Sequence, residues 1–195
     1  MAGGPHPRAR PDLGLRPGAR GRIAGVSEVS VRPAVPDDGP GIARVHVQSW
    51  HEAYTGRVPD SLLTRLDRTS SSRRWAARLR GEVPPGGQPG GQTWVAVRGR
   101  SVVGFASAGP CRDPDRSTAD EELWALYVLQ AEYGTGTGKA LMDAALDDRP
   151  ATLWVLADNP RAQAFYAKHG FEPDGATRDD ARWGATLHEV RLARG

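Results

Sequence analysis

The segment Leu123-Trp-Ala-Leu-Tyr-Val-Leu-Gln-Ala-Glu-Tyr-Gly-Thr-Gly-Thr-Gly-Lys-Ala-Leu-Met142 decides the fold. Its first part, Leu123 to Val128, reads as a buried strand. Gly134, Gly136 and Gly138 make a turn, and the residues from Lys139 onward begin an amphipathic helix. Successive backbone N–H groups at a helix start, with no side chains in the way, form a cradle for phosphate. Two nucleotide-binding patterns are excluded by spacing. A P-loop needs glycine at position 133 and a hydroxyl after the lysine, where this chain has Tyr133 and Ala140. The dinucleotide pattern G-x-G-x-x-G fails because Gly138 comes one residue early.

A second informative segment follows. Thr152 to Leu156 reads as a short buried strand, and Asp158-Asn159-Pro160 opens a helix that Gly170 closes. Asn159 suits the N-cap, Pro160 the first helical position and Gly170 the residue past the end. Ala162, Phe165, Tyr166 and His169 share one face at helical spacing.

Tyr133 to Gly138 resembles motif A of the GNAT superfamily of acetyl-coenzyme A-dependent N-acyltransferases, [QR]-x-x-G-x-[GA], with Tyr133 where that family has Gln or Arg. Asn159 to Phe171, as N-x-x-A-x-x-F-Y-x-K-x-G-F, is similar to its motif B. The resemblance implies an α/β fold: a mixed, mostly antiparallel central sheet of about seven strands flanked by helices. The fourth and fifth strands would part in a V-shaped splay. It implies acetyl-CoA as cofactor. Leu126, Tyr127 and Val128 would hold its pantetheine arm. Tyr133, Gly134, Thr135, Gly136, Thr137, Gly138 and Lys139 would surround its pyrophosphate, and Asn159 and Phe165 would contact the arm. Tyr166 would protonate the departing thiolate, and a backbone N–H near Val128 would stabilise the oxyanion.

Glu122 stands at the offset of the glutamate base in the family's histone-acetylating branch. Alternation puts it on a strand face with Trp124, Leu126 and Val128. A carboxylate among such apolar groups would have a raised pKa, suited to accepting a proton; a solvated charge at the strand's edge is the structural alternative. His51 and Glu52 are rival bases. Trp50, His51 and Tyr54 are expected to border the acceptor pocket, and Gly175–Gly184, with Asp179, Asp180 and Trp183, to form another wall. The implied reaction is acetyl transfer to a primary amine, a small molecule in preference to a protein. The alternative is a non-catalytic acyl-CoA-binding domain acting as a sensor or interaction module.

At 195 residues the chain has room for one sizeable core. Its 38% hydrophobic and 25% charged residues fit a soluble globular protein. No apolar run has the length of a membrane span. Cys111 is the only cysteine, which excludes an internal disulfide and a cysteine zinc site and suits the cytoplasm. The net charge of +3 is misleading about nucleic acid. Residues 1–26 hold five arginines against Asp12, a net +4 that leaves the remaining residues at −1. That Gly/Pro/Arg-rich tail reads as disordered, with the acetyltransferase-like domain over residues 27–195. Neither a nucleic acid nor a membrane is therefore an expected partner; a homodimer is admissible.

Elsewhere, Glu28–Arg32 reads as a first strand. Pro36-Asp37-Asp38 introduces a helix that an aspartate would cap, with Ile42, Val45, His46 and Trp50 on one face. Leu62–Leu66 and Arg73–Leu79 suggest a broken second helix, and Pro84–Gly91 a loop. Thr93–Val97 and Val102–Ala108 form a hairpin around Arg98-Gly-Arg-Ser101; Phe171–Pro173 and Thr186–Leu192 complete the strands.

Overall fold

The computed structural model describes residues 28–56, 58, 60–82, 90–117, 120–181 and 186–195. The N-terminal tail, most of the Pro84–Gly91 loop, Trp183 and Gly184 lie outside them. In chain order the elements are β1 (Val29–Pro33), α1 (Gly39–Tyr54), α2 (Asp60–Thr64), α3 (Arg68–Leu79), β2 (Gln92–Arg98), β3 (Ser101–Pro110), β4 (Glu121–Val128), α4 (Thr137–Leu146), β5 (Ala151–Leu156), α5 (Pro160–Ala167), β6 (Glu172–Asp180) and β7 (Leu187–Arg194). The sheet runs β1-β2-β3-β4-β5-β7-β6. Its neighbours are antiparallel except β4 and β5, which are parallel.

Local chemistry accounts for most boundaries. Gly99 takes φ 61° in the two-residue turn between Arg98 and Ser101. Asp67 accepts from the N–H groups of Thr69 and Ser70 and so starts α3. The start of α1 differs from expectation. Asp38 does not cap the helix with its side chain; the carboxylate turns back to accept from both Arg32 nitrogens, at 2.7 and 2.8 Å, and from the Val35 N–H at 2.8 Å. Arg32 thereby holds its pKa below the usual carboxylate range. The stretch after Pro173 also differs. The strand expected over Phe171–Pro173 runs on through residues 175–180 as β6, because β7 offers a partner strand from Leu187 to Arg194.

The sheet has two covered faces. On one, α1 and α3 pack over Phe105, which is fully buried and meets Trp75, His46 and Tyr127 ring to ring. On the other, α4 lies so close that a Cβ at Gly104 would fall 2.9 Å from Leu141 and 2.7 Å from Val128. Arg191 of β7, almost wholly buried, donates to Asp113, Asp115 and Asp174, tying the β3–β4 connection to the far half of the sheet.

Two irregularities in β4 create the site. Ala108 pairs with Leu123 and Ser107 with Ala125, so Trp124 is an extra residue, a β-bulge. The parallel pairing with β5 covers only Glu121–Leu123 against Ala151–Leu153. Beyond it the strands part, which is the expected splay, and it begins at the bulge.

Candidate active site

The parted strands open a cleft of about 840 Å³ that runs from the glycine loop to the ends of β6 and β7. At the loop end, β4 passes through a short 3-10 turn, Gln130–Glu132, into Tyr133 and then α4. Gly134 and Gly136 take φ 75° and 89°, which L side chains rarely adopt, yet a Cβ on either would meet nothing within 4 Å. Glycine is required there by conformation, and the space above the loop faces the cleft. The first N–H groups of α4, at Gly138 and Lys139, have no partner within the helix by its geometry. A buried carboxylate holds the loop from beneath. Glu132 accepts from Arg98 at 3.0 and 2.8 Å and from the Thr137 hydroxyl at 3.1 Å, while Thr135 donates to the Glu132 carbonyl at 2.8 Å. Arg98, foremost, keeps the Glu132 pKa low. The loop is thus preorganised, open and lined by unpaired donors, which fits a pyrophosphate.

In the middle of the cleft stand three phenols. Tyr166, on α5, lines the cleft, packs against Phe165 and Phe171, and donates to no described residue. Burial pushes its pKa upward. Tyr54 accepts from the Asn159 amide at 3.4 Å, and Tyr127 meets the Trp50 indole N–H at 3.1 Å. Both are likewise shifted up by burial. Asn159 also caps α5, accepting from the Ala162 N–H at 3.2 Å. Phe165 packs 3.4 Å from where a Gly138 Cβ would sit, joining α5 to the start of α4. Ser49 donates to the Val128 carbonyl at 3.2 Å and fixes the end of β4.

The other end is walled by Trp50 and Tyr54 from α1, Trp154 from β5, Arg178 and Asp180 from β6, and Glu189 from β7. Arg178 lies 4.2 Å above the Trp154 ring and donates through Nε to Glu189 at 2.7 Å.

The match to known proteins agrees with this geometry. Residues 89–173 match the model of the acetyltransferase (GNAT) domain. A probable N-acetyltransferase of Mycobacterium tuberculosis is 32% identical over 156 residues, covering 77% of this chain and 84% of that one. The chain belongs to the GNAT acetyltransferases. Solved GNAT-fold structures superpose well. PaiA N-acetyltransferase of Thermoplasma acidophilum, in complex with coenzyme A, has a TM-score of 0.61 at 15% identity over 86% of this chain and 98% of its own. YncA of Salmonella typhimurium, a structure with acetyl-CoA, has a TM-score of 0.59 at 19% identity over 86% and 93%.

Within this GNAT chain the structure brings most of the expected residues to one cleft: Leu126, Tyr127, Val128, Tyr133, the three loop glycines, Lys139, Asn159, Phe165 and Tyr166 all line it. Thr135 and Thr137 serve beneath the loop, through Glu132. Two expectations change. His51 is exposed on the outer side of α1 and does not line the cleft, while its neighbours Trp50 and Tyr54 do. Glu52 is occupied elsewhere, accepting from Gln48 and from the Gln130 N–H at 2.8 Å each.

Glu122 is the larger correction. The bulge at Trp124 resets the alternation, so Glu122 shares a face with Ala125 and Tyr127 rather than with Leu126 and Val128. Its surroundings are not apolar either. The carboxylate is 1% exposed and both oxygens are taken by Arg112, through Nε at 2.9 Å, the backbone N–H at 3.0 Å and a close contact from Nη2.

Sequence reasoning missed Arg112, Arg161, Arg178 and Glu189. Arg161 stacks 4.0 Å from the Tyr133 ring, putting a guanidinium beside the loop at the position where the family's Gln or Arg is absent. Its place directly after Asn159-Pro160 was a usable signal. For Glu189 there was none, because nothing local distinguishes it from other strand carboxylates.

Proposed function

We propose that this chain moves the acetyl group of acetyl-CoA onto a primary amine, by direct attack within a ternary complex and without a covalent enzyme intermediate. The observation that carries the reading is the Tyr166 phenol, free of any described protein partner and facing the cleft between a phosphate-type loop and an aromatic, acidic pocket. The loop from Gly134 to Lys139 holds the pyrophosphate, foremost through the N–H groups of Gly138 and Lys139 at the start of α4, with Arg161 on Tyr133 beside them. The parted edge of β4, from Leu126 to Val128, aligns the pantetheine arm. A backbone N–H near Val128 polarises the acetyl carbonyl, an effect typically worth about 3 kcal/mol. The Tyr166 phenol carries its proton at neutral pH, as any tyrosine does and burial reinforces, so it is placed to protonate the thiolate as the C–S bond breaks. Enclosure of the acceptor end by α1, β6 and β7 favours a small molecule over a folded protein. The one cysteine, buried as a free thiol, accords with work in the cytoplasm.

The locking of Glu122 by Arg112 favours a second reading, a non-catalytic acyl-CoA-binding domain. The two separate cleanly by titrating acetyl-CoA calorimetrically and following thiol release with a panel of primary amines. Transfer requires turnover that falls about 100-fold or more in Tyr166→Phe at unchanged acetyl-CoA affinity. Tight acetyl-CoA binding with no thiol release from any amine leaves the sensor reading standing instead.

A further inference from the structure

Four carboxylates line the cleft: Glu122, Glu132, Asp180 and Glu189. Arg112 occupies both oxygens of Glu122. Arg98 and the loop hydroxyls occupy both oxygens of Glu132, and the buried Asp180 is likewise engaged. Glu189 differs. Its Oε2 accepts from Arg178 Nε, and its Oε1 accepts from no described residue. The side chain is 15% exposed, so that oxygen has limited access to bulk water.

Its place in the fold makes the leftover oxygen significant. On β7, Glu189 pairs with Leu156, the last residue of β5, beyond the point where β5 leaves β4. It lines the same cleft as Tyr54 on α1 and Tyr127 on β4, within electrostatic reach of both phenols. Arg178 holds it from β6 and is itself stacked on Trp154. The result is a carboxylate fixed by one oxygen in the wall of a cleft that it shares with Trp50, Tyr54 and Trp154. A cationic amine satisfies both features, by hydrogen-bonding the free oxygen and by resting against the faces of Trp50 and Tyr54.

We infer that Glu189 receives the ammonium of the acceptor and takes the first of its protons, which makes β7 rather than β4 the source of the base. The inference rests on the acetyl-transfer reading above. One N–H proton passes to Glu189 Oε1, and the freed nitrogen lone pair forms the N–C bond. As the C–S bond breaks, the sulfur takes the Tyr166 proton, and the second nitrogen proton restores that phenol. The proton on Glu189 leaves to solvent, so the amide, the free thiol and one proton balance the ammonium and the thioester.

The test is thiol release from acetyl-CoA with tyramine, spermidine and a tripeptide with a free N-terminus, alongside calorimetric titration of acetyl-CoA. For every amine that turns over, Glu189→Gln is expected to lower kcat/KM by about 10²–10⁴-fold. It keeps acetyl-CoA affinity within about twofold, because the Gln oxygen still accepts from Arg178 and the loop end is untouched. Glu189→Asp recovers part of the rate, while Glu122→Gln loses less than about tenfold. The assignment is overturned if Glu189→Gln stays within tenfold of wild type, or if Glu122→Gln falls further than it does. A wild type that binds acetyl-CoA but acetylates none of these amines overturns the assignment and leaves the cofactor site intact. A wild type that does not bind acetyl-CoA removes the transfer reading itself, and the inference with it.

Discussion

The two ends of the cleft are made of different material. The loop end comes from consecutive residues, Glu132 to Lys139, and presents mainly backbone N–H groups shaped by two left-handed glycines. The acceptor end comes from α1, β5, β6 and β7 and presents side chains: Trp50, Tyr54, Trp154, Arg178 and Glu189. A backbone-built site is encoded where it stands, because glycine positions dictate the φ angles. A side-chain-built site depends on the sheet order, in which β7 inserts between β5 and β6 and carries Glu189 to the mouth of the splay. The acceptor end therefore holds its charges in pairs that hold each other, and the loop end holds its geometry in the backbone.

That contrast breaks most visibly at Arg112. Removing its guanidinium in Arg112→Met leaves the buried Glu122 carboxylate without a counter-charge, a change that costs about 3 kcal/mol or more. Urea unfolding at pH 7 measures it. The double variant Arg112→Met, Glu122→Leu should recover most of that loss, because an apolar pair of similar volume avoids the desolvation that the ion pair must offset. Acetyl-CoA affinity in the folded fraction is expected to stay unchanged. A single variant within about 1 kcal/mol of wild type would mean that water screens the pair, and the distinction between the two ends would weaken.

The same contrast explains what the sequence revealed. The glycine loop, the Asn159 cap with Pro160 and Gly170, and the seven strands were legible because each is a local signal of torsion, capping or periodicity. The environment of Glu122 was not, since period-two alternation assumes an unbroken strand and Trp124 interrupts it. Room for that bulge comes from Gly91 and Gly109, where a Cβ would fall 1.9 and 2.6 Å from the Trp124 ring. A sequence displays those glycines without showing that they face the same indole. His51 was misplaced for a related reason: helical spacing puts Trp50, Ala53 and Tyr54 on the cleft side and turns His51 and Glu52 away from it.

Acid should separate the ends in a defined order. His46 packs its ring against Trp50 and Tyr127 beneath the acceptor end, and burial, with Arg74 nearby, lowers its pKa to about 4. The unfolded chain takes up this proton near pH 6.5, well before the folded chain does. The contribution of neutral His46 is therefore complete above pH 6.5 and is lost as pH falls toward 4, amounting to about 3 kcal/mol at most. Glu132 has the opposite origin but the same direction. Its pKa is depressed below 4.5, so the stability from its Arg98 pair is present above that value and lost only below it. As pH is lowered from 7 to 4, urea midpoints should fall in wild type and run flatter in His46→Phe. Parallel curves for the two proteins would show that His46 is hydrated, and that the acceptor end is not the more acid-sensitive of the two.

The smallest expected effect tests whether the loop end is built by conformation. Gly136 sits at φ 89° with open space where a Cβ would go, whereas Gly138 lies outside the positive-φ set and would place a Cβ 3.4 Å from Phe165. Gly136→Ala therefore meets only torsional resistance, about 1–2 kcal/mol. If the loop keeps its shape, that cost appears as lost stability. If it relaxes, the N–H groups turn away and acetyl-CoA binds about tenfold more weakly. Gly138→Ala meets ordinary contact with a ring edge and is expected to change either quantity by a few tenths of a kcal/mol. Equal effects from the two variants would put space, and not backbone conformation, in control of the loop. The loop end would then obey the same side-chain packing that builds the acceptor end.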